Sequence, residues 1–406
     1  MASHATRKAW RVSVVTSRSL STFRRTSQNV LACPSALSST IIRIPKRSLF
    51  VLPFGLDVGL AFAAMYYITA LERPDKERVQ KIFGHDPWSK DEVKNSEEVV
   101  HCIAHRGAAL DAPENTIEAF KYCVEQNCKF VEMDVRSLRD GQLVLLHDEG
   151  LQRLTGTTIN NVQCVDWDAI KDYNVAANHP NREHFKDVRL CLFEDALDYL
   201  LENKFKMIID VKGVDQEVIS GVLDAFATRP ALYESAAVTC FNPYPLYLIR
   251  KTDPKIIGAL SYRPYCFSAQ DYDAENGPTN PRFPDSVVHR VAMRACDALH
   301  GVAWRRLARW CGVSAVLLHK DIVSPSEVEY WRGLGVRCVG WAVNRPVEKL
   351  YWRGVLRAAY LASTLLGEPA VEKQSKDKTS SDCAASSPEQ MLDPEQTEQN
   401  VSSGRN

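Results

Sequence analysis

The sequence predicts an α/β protein whose short buried strands carry reactive side chains at their carboxyl ends. Three observations point there. Apolar runs too short for helices recur along the chain, at 99–104, 130–135, 142–146, 205–211 and 236–241, then at 255–260, 313–318, 336–343 and 359–362. Between them lie helical stripes, with Ile117, Phe120 and Val124 in one segment and Leu197, Leu200 and Leu201 in another. His105 and Arg106 close the first run and His147 closes the third, which is where barrels and open α/β sheets place their chemistry.

The run at 130–135 holds Glu132 and Asp134. Residues two apart on a strand share a face, so the two carboxylates converge. Held that close, they repel and raise one another's pKa unless a cation or proton sits between them. All-oxygen ligation suits a hard divalent ion, magnesium or calcium, rather than zinc. An isolated Glu-x-Asp is also ordinary patterning for an exposed edge strand, but two histidines at neighbouring strand ends favour a site. A histidine pair can serve as base and acid in displacement at phosphorus, since imidazole titrates near neutrality. Arg106 would grip the phosphate with its planar fork. At the end of the run 205–211, Asp210 and Lys212 share a face in the same way, and Lys212 reads either as a point charge for phosphate or as a structural partner of Asp210.

Taken in order, His105-Arg106-Gly107, Ala112-Pro-Glu-Asn-Thr116, Glu132-x-Asp134, Leu145-Leu-His-Asp148 and Asp210-x-Lys212 resemble the glycerophosphodiester phosphodiesterase family, above all its membrane-associated animal branch. The likeness runs from about residue 104 to about residue 364. It implies a (β/α)8 TIM barrel of the phospholipase C-like phosphodiesterase type and one divalent metal, magnesium, with calcium as the alternative. The reaction it implies is cleavage of a glycerophosphodiester to glycerol 3-phosphate and an alcohol. On the matching positions it implies His105 and His147 as the acid–base pair and Glu132, Asp134 and Asp210 as metal ligands. Arg106, Lys212, Glu114, Asn115 and Trp341 would surround substrate and phosphate. Many relatives carry Glu where Asp210 stands, and the shorter arm should move the ion or admit a water.

Several positions keep two readings. Asn115-Thr-Ile-Glu118 has the form of a capping box, with Asn115 as the cap. Arg153-Leu-Thr-Gly156 resembles a family signature but reads by itself as a turn, and Trp341 could be a core residue. The nine apolar runs are one too many for an eight-stranded barrel. Asp140-Gly141 joins the second and third so tightly that a hairpin competes with a parallel crossover. Relatives tend to close with a strand ending in Thr-Asp; here Tyr360-Leu-Ala-Ser-Thr364 corresponds, which leaves the hydrogen bonding of the pocket floor open.

Outside the barrel the chain reads as a series of appendages. Residues 1–48 form a basic leader, and across 1–55 there are nine Lys or Arg and no acid, as in organelle-targeting segments or a basic disordered tail. Residues 49–71 are long and apolar enough for a transmembrane signal anchor, with Asp57 their only charge. Arg43, Lys46 and Arg47 precede it, so the positive-inside rule puts the catalytic domain outside the cytoplasm; a mitochondrial membrane is the alternative. A charged stalk with Pro74 and Pro87 follows at 72–98, then the barrel at 99–367. Within it, 282–309 alternates Val, Ala, Leu and Trp with Arg and His at helical intervals, as either a membrane-interface helix or a solvated flank. Residues 368–406 are too polar to bury a core and read as a disordered tail.

Composition removes other classes. The formal net charge is zero over 406 residues, the barrel is not basic, and no Walker loop, G-x-G-x-x-G or H-E-x-x-H occurs, so nucleic acid is not a partner. The twelve cysteines include no C-x-x-C, and those within apolar runs act as small hydrophobes. Membrane lipid is an expected partner beside the glycerophosphodiester or lysophospholipid substrate. Two rival functions stand beside the glycerophosphodiesterase: a lysophospholipase D acting on lysophospholipids or glycerophospho-N-acylethanolamines, and an inactive membrane-anchored binding protein.

Overall fold

Eight of the nine apolar runs pair in parallel and close on themselves. The computed structural model describes residues 54–87, 99–273 and 275–368. Its strands are β1 Cys102–Ala104, β2 Phe130–Ser137, β3 Leu143–Leu145, β4 Lys206–Val211, β5 Ala236–Cys240, β6 Ile257–Tyr262, β7 Ala269–Asp273, β8 Gly277–Pro281, β9 Ala315–His319, β10 Arg337–Trp341 and β11 Ala359–Ala362. The order is β1-β11-β10-β9-β6-β5-β4-β2, and a β1–β2 pairing completes the ring. Helices are α1 Phe54–Thr69, α2 Lys76–Phe83, α3 Ile117–Glu125, the single turns α4 Gln152–Thr155 and α5 Trp167–Ile170, α6 Phe193–Glu202, α7 Gln216–Thr228, α8 Pro243–Thr252, α9 Val287–Trp310, α10 Pro325–Gly333 and α11 Pro346–Tyr351. The predicted (β/α)8 barrel is therefore present.

The surplus run is β3. It lies antiparallel on β2, with Val135 opposite Leu145 and Ser137 opposite Leu143. Gly141 at φ 83° makes the reversal, and a side-chain oxygen of Asp140 accepts the Gln142 N–H. His147 thus follows a hairpin arm that turns back down toward the barrel, not a stave.

Alternation along the staves separates two cores. Ile103, Phe130, Ile208, Ala237, Leu317 and Val339 fill the barrel, while Val131, Met133, Ile209 and Val238 pack outward with the helices. Val79, Ile82 and Phe83 of α2 join the interior cluster. The stretch read as a stalk is therefore, in its described part, a plug on the amino end of the barrel; 88–98 lie outside the described residues. Toward the carboxyl end the same interior face turns polar, through buried Glu132, Asp134, Asp210, Thr239, Ser261 and His319.

Three other local expectations are revised. Thr116, not Asn115, caps α3, its hydroxyl accepting the Ala119 N–H at 3.2 Å. The insertion is a β-ribbon, β7 paired antiparallel with β8, followed by a helix that begins at Val287 rather than 282, since Pro281 and Pro284 cannot continue one. Among the described residues no helix is long and apolar enough to cross a membrane. Of the candidate anchor, residues 54–71 are described, 54–69 of them as α1, and its first five positions, like the leader and the tail beyond Glu368, lie outside the described residues.

Buried Arg250 of α8 joins several elements, donating to the carbonyls of Ile256, Cys311, Gly312 and Glu72. His101, just before β1, is half-buried, with its Nδ1 enclosed and without a hydrogen-bond partner; burial, with Arg353 adding to it, lowers its pKa to about 4. The unfolded chain binds that proton near the ordinary imidazole value of about 6.5. Stability from this group is thus present above pH ~6.5 and is lost as pH falls toward the folded value. Urea unfolding as a function of pH should show a shallower loss between about pH 6.5 and 4 for His101→Gln than for the wild type.

Candidate active site

A tight turn at the end of β1 aims the first group. Arg106, Gly107 and Ala108 all take left-handed backbone conformations, and a Cβ on Gly107 would lie 2.7 Å from that of Ala119. The turn points the Arg106 N–H at Glu132 Oε2, 3.0 Å away, and its guanidinium at Glu114 (3.2 Å) and Asp134 (3.3 Å). His105 Nδ1 meets Ser363 Oγ at 2.9 Å, and its Nε2 lies 3.8 Å from Glu132 Oε2.

Register sets the carboxylates. Asp134 of β2 is directly beside Asp210 of β4, and Glu132 is one interior position below. Glu132, Asp134 and Asp210 offer oxygens that all lie within 4.8 Å of one another, and all three residues are buried. Lys212 Nζ reaches Asp210 at 2.5 Å and Asp134 at 3.0 Å. Burial raises the Glu132 and Asp210 carboxyls, Asp134 raises both further, and Lys212 only partly opposes this. Asp134 is also buried, but Lys212 and Arg106 outweigh that and hold it well below the usual carboxylate range. For His105, burial first and then Arg106 push the imidazole well below its ordinary value, so it is held neutral.

The donor set fits a hard divalent cation. Asp210 Oδ1 is buried without a hydrogen-bond partner, Asp134 Oδ1 has only the Lys212 ammonium 3.0 Å away, and the three carboxylates exceed the charge that Lys212 and the shared Arg106 bring to them. A cation among these oxygens would let all three ionise.

His147 is delivered by the hairpin to the level of Asp134, whose carbonyl accepts the Leu146 N–H at 3.0 Å. Arg136 holds the His147 carbonyl through two N–H groups, at 3.1 and 2.9 Å. His147 Nδ1 lies 2.8 Å from Asp148, Asp148 accepts from Arg153 at 2.6 Å, and Arg153 grips Glu114 with two bonds of 2.8 and 2.7 Å. Glu114 in turn contacts Arg106, so a chain of charges runs from His147 to the arginine that follows His105. Burial would raise Glu114, but the Arg153 hydrogen bonds and Arg106 bring it below its ordinary value.

His105, Arg106, Glu132, His147, Asp210 and Lys212 line one cavity of about 470 Å³ at the carboxyl end of the barrel. Trp341 lines it too, its edge toward Phe241 with centroids 6.1 Å apart. Glu114 and Asn115 stand behind the cavity. Asn115, at φ 57°, bonds Asp134 twice, by Nδ2 to a carboxylate oxygen at 2.8 Å and by Oδ1 to the backbone N–H at 3.1 Å. The closing strand also finds its partners. Ser363 supplies the hydroxyl beside His105, and Asp111 accepts from Thr364 Oγ1 at 2.7 Å and the Leu365 N–H at 2.6 Å.

Sequence reasoning missed Arg136, Asp148, Ser363, Phe241, Arg263 and Tyr272. Arg136 continues the alternation of Glu132 and Asp134, and Asp148 directly follows His147, so both signals were there to use; Ser363, Phe241, Arg263 and Tyr272 join the cavity only through long-range folding.

Residues 105–361 match the model of the glycerophosphoryl diester phosphodiesterase family. The chain belongs to this family. It is 32% identical over 275 residues to glycerophosphodiester phosphodiesterase 1 of Mus musculus, covering 67% of this chain and 80% of the mouse protein. The Homo sapiens counterpart is 31% identical over 271 residues, covering 66% and 78%. Among solved structures, an Oleispira antarctica phosphodiesterase in complex with the product sn-glycerol-3-phosphate aligns at 17% identity and TM-score 0.47, over 65% of this chain and 92% of that one. The protein is thus an enzyme, a glycerophosphodiester phosphodiesterase, and its family is generally dependent on divalent metal, for which the Glu132, Asp134 and Asp210 cluster is present.

Arg153 is held by this geometry to be a positioning residue. Arg153→Met should lower kcat roughly 10- to 100-fold, a part of what an acid–base group supplies, with KM and metal affinity little changed. Steady-state kinetics and calorimetry check this, and an unaltered kcat would remove Arg153 from the machinery.

Proposed function

We propose that the enzyme hydrolyses glycerophosphodiesters such as glycerophosphoinositol to glycerol 3-phosphate and an alcohol, with His105 and His147 as its acid–base pair. The observation that carries this reading is the convergence of two histidines, Arg106 and Lys212 on one cavity, with Glu132 and Asp210 in its lining and Asp134 within reach of both. Arg106 and Lys212 receive the phosphate, Arg106 by two N–H groups and Lys212 as a point charge. Glu132, Asp134 and Asp210 hold one divalent metal, magnesium before calcium, which when bound supplies positive charge to the non-bridging oxygens. Glu114 and Asn115 keep Arg106 and Asp134 aimed. Trp341 and Phe241 form an apolar wall for the glycerol or alcohol portion.

Roles divide by environment. His105 is half-buried and held neutral, with only the Ser363 hydroxyl on Nδ1, and takes a proton from the attacking hydroxyl. His147, oriented by Asp148 at its Nδ1, gives a proton to the leaving alkoxide. The attacking hydroxyl belongs to water or to the glycerol 2-position; the second route passes through a cyclic phosphate. The apolar wall and the exposed apolar side chains of α9 favour, as a second reading, a lysophospholipase D reaction on lysophospholipids or glycerophospho-N-acylethanolamines. The complete donor set speaks against an inactive binding protein.

Residues 49–71 serve in this reading as a membrane anchor with the barrel extracytoplasmic, or in a mitochondrial membrane. The exposed Leu60, Phe62, Met65 and Ile68 of α1 support it.

Release of glycerol 3-phosphate from glycerophosphoinositol should require added Mg2+ and stop with chelator. His105→Ala and His147→Ala should each lower kcat by about 10²- to 10⁴-fold while still binding metal, whereas Glu132→Gln should lose metal binding and turnover together. Faster turnover of a lysolipid than of glycerophosphoinositol would transfer the assignment to the second reading. Wild-type rates in either histidine variant would end the acid–base proposal.

A further inference from the structure

The helix α9 turns its apolar side chains outward. Trp304 and Ala308 are buried against the barrel, yet Val288 (77% exposed), Val291 (65%), Leu299 (70%) and Val302 (48%) stand in solvent. Their spacing of three, eight and three residues, with Ala295 and Ala298 between, makes one stripe along one face. Arg290, Arg294, Arg305, Arg306 and Arg309 flank or end that stripe. Arg305 pairs with Glu327 at 2.7 Å; among the described residues none of the other four is in an ion pair. The single acid of the helix, Asp297, is occupied by the backbone N–H groups of Phe267 (2.8 Å) and Ser268 (3.2 Å).

A second cavity adjoins the stripe. It measures about 570 Å³ and lies between α9, which contributes Arg290, Val291 and Arg294, and the β7–β8 ribbon, which contributes Ala269 and Pro281, with Tyr265 just before it. The Arg294 guanidinium lies over the Tyr265 ring, 5.4 Å from its centroid. Tyr272 of the same ribbon lines the active-site cavity, so the ribbon is the wall between the two. The groove is therefore at the carboxyl end of the barrel, beside the mouth.

α1 runs beside the other end of α9. Tyr66 donates to the Arg306 carbonyl at 3.0 Å and Trp310 Nε1 to Thr69 Oγ1 at 2.8 Å, so the two helices run in the same direction there. α1 also exposes apolar side chains, among them Leu60, Phe62 and Met65.

We propose that the groove between the ribbon and α9 binds the head group of an anionic phospholipid while the stripe enters the bilayer interface, which sets the mouth of the barrel at the membrane surface. Charge decides the occupant. A second copy would bring unpaired arginines against arginines, whereas an anionic bilayer attracts them and accepts the apolar stripe between them. The inference is independent of the substrate and of residues 49–53.

The test uses the full chain in nanodiscs of phosphatidylcholine, with and without phosphatidylserine, reading amide hydrogen exchange across 287–303. Phosphatidylserine should slow exchange there on the order of thirtyfold, about fivefold for each of two arginines. Arg290→Glu/Arg294→Glu, or the milder Arg294→Gln, should lose all or part of that gain while hydrolysing a soluble glycerophosphodiester at the wild-type rate. Equal exchange in both lipids, or a lipid response retained by the double variant, would overturn the proposal. So would equal protection by free phosphoserine, which would make the groove a soluble-anion site, or by raised protein concentration in detergent, which would make the stripe a self-interface.

Discussion

Three carboxylates in one nearly dry ring impose the constraint on which the rest of this structure depends. Glu132, Asp134 and Asp210 lie within reach of one another at the point where the barrel interior changes from apolar to polar. Like charges so close, away from water, cannot all persist without compensation. Lys212 and Arg106 provide part of it, enough to keep Asp134 ionised while Glu132 and Asp210 are driven toward protonation. What the cations leave uncompensated is an electrostatic demand for a further positive charge, and that demand is the chemical meaning of the site.

The compensating groups are themselves held by charge. Arg106 would swing freely were it not shared between Asp134 and Glu114, and Glu114 is fixed by the two-pronged grip of Arg153. Arg153 also orients Asp148, which orients His147. The excursion between β3 and α6 that carries Asp148 and Arg153 has its own small core of Leu138, Val144, Leu146, Leu151 and Val162. That core anchors the segment, and the relay links His147 to Arg106 across separate parts of the barrel rim.

The two ends of the barrel have different tasks. At the amino end α2 inserts Ile82 and Phe83 and excludes water from the interior. At the carboxyl end the rim rises through the β2–β3 hairpin, the β7–β8 ribbon and the start of α9, which together form walls that a barrel of minimal strands would lack. Solvent-facing apolar residues on α9 fit that division, since they occur on the side where substrate enters.

Much of this was legible from residue order. Alternation on β2 and β4 placed Glu132, Asp134, Asp210 and Lys212 on interior faces, and strand ends located His105 and His147, because period two and strand termini are local properties of the chain. Local pattern could not tell that 142–146 is a hairpin arm, since an apolar run looks alike in either strand direction and only the Asp140-Gly141 reversal separates them. Nor could it move Asn115 from a helix cap to the Asp134 carboxylate, or find Ser363 beside His105 across 258 positions. The sequence by itself determined which residues could face inward and what chemistry they could offer. Only the tertiary structure decided which of them meet, because closing the sheet joins β1 to β11 and β2 to β4, and that pairing energy lies between segments far apart in the chain.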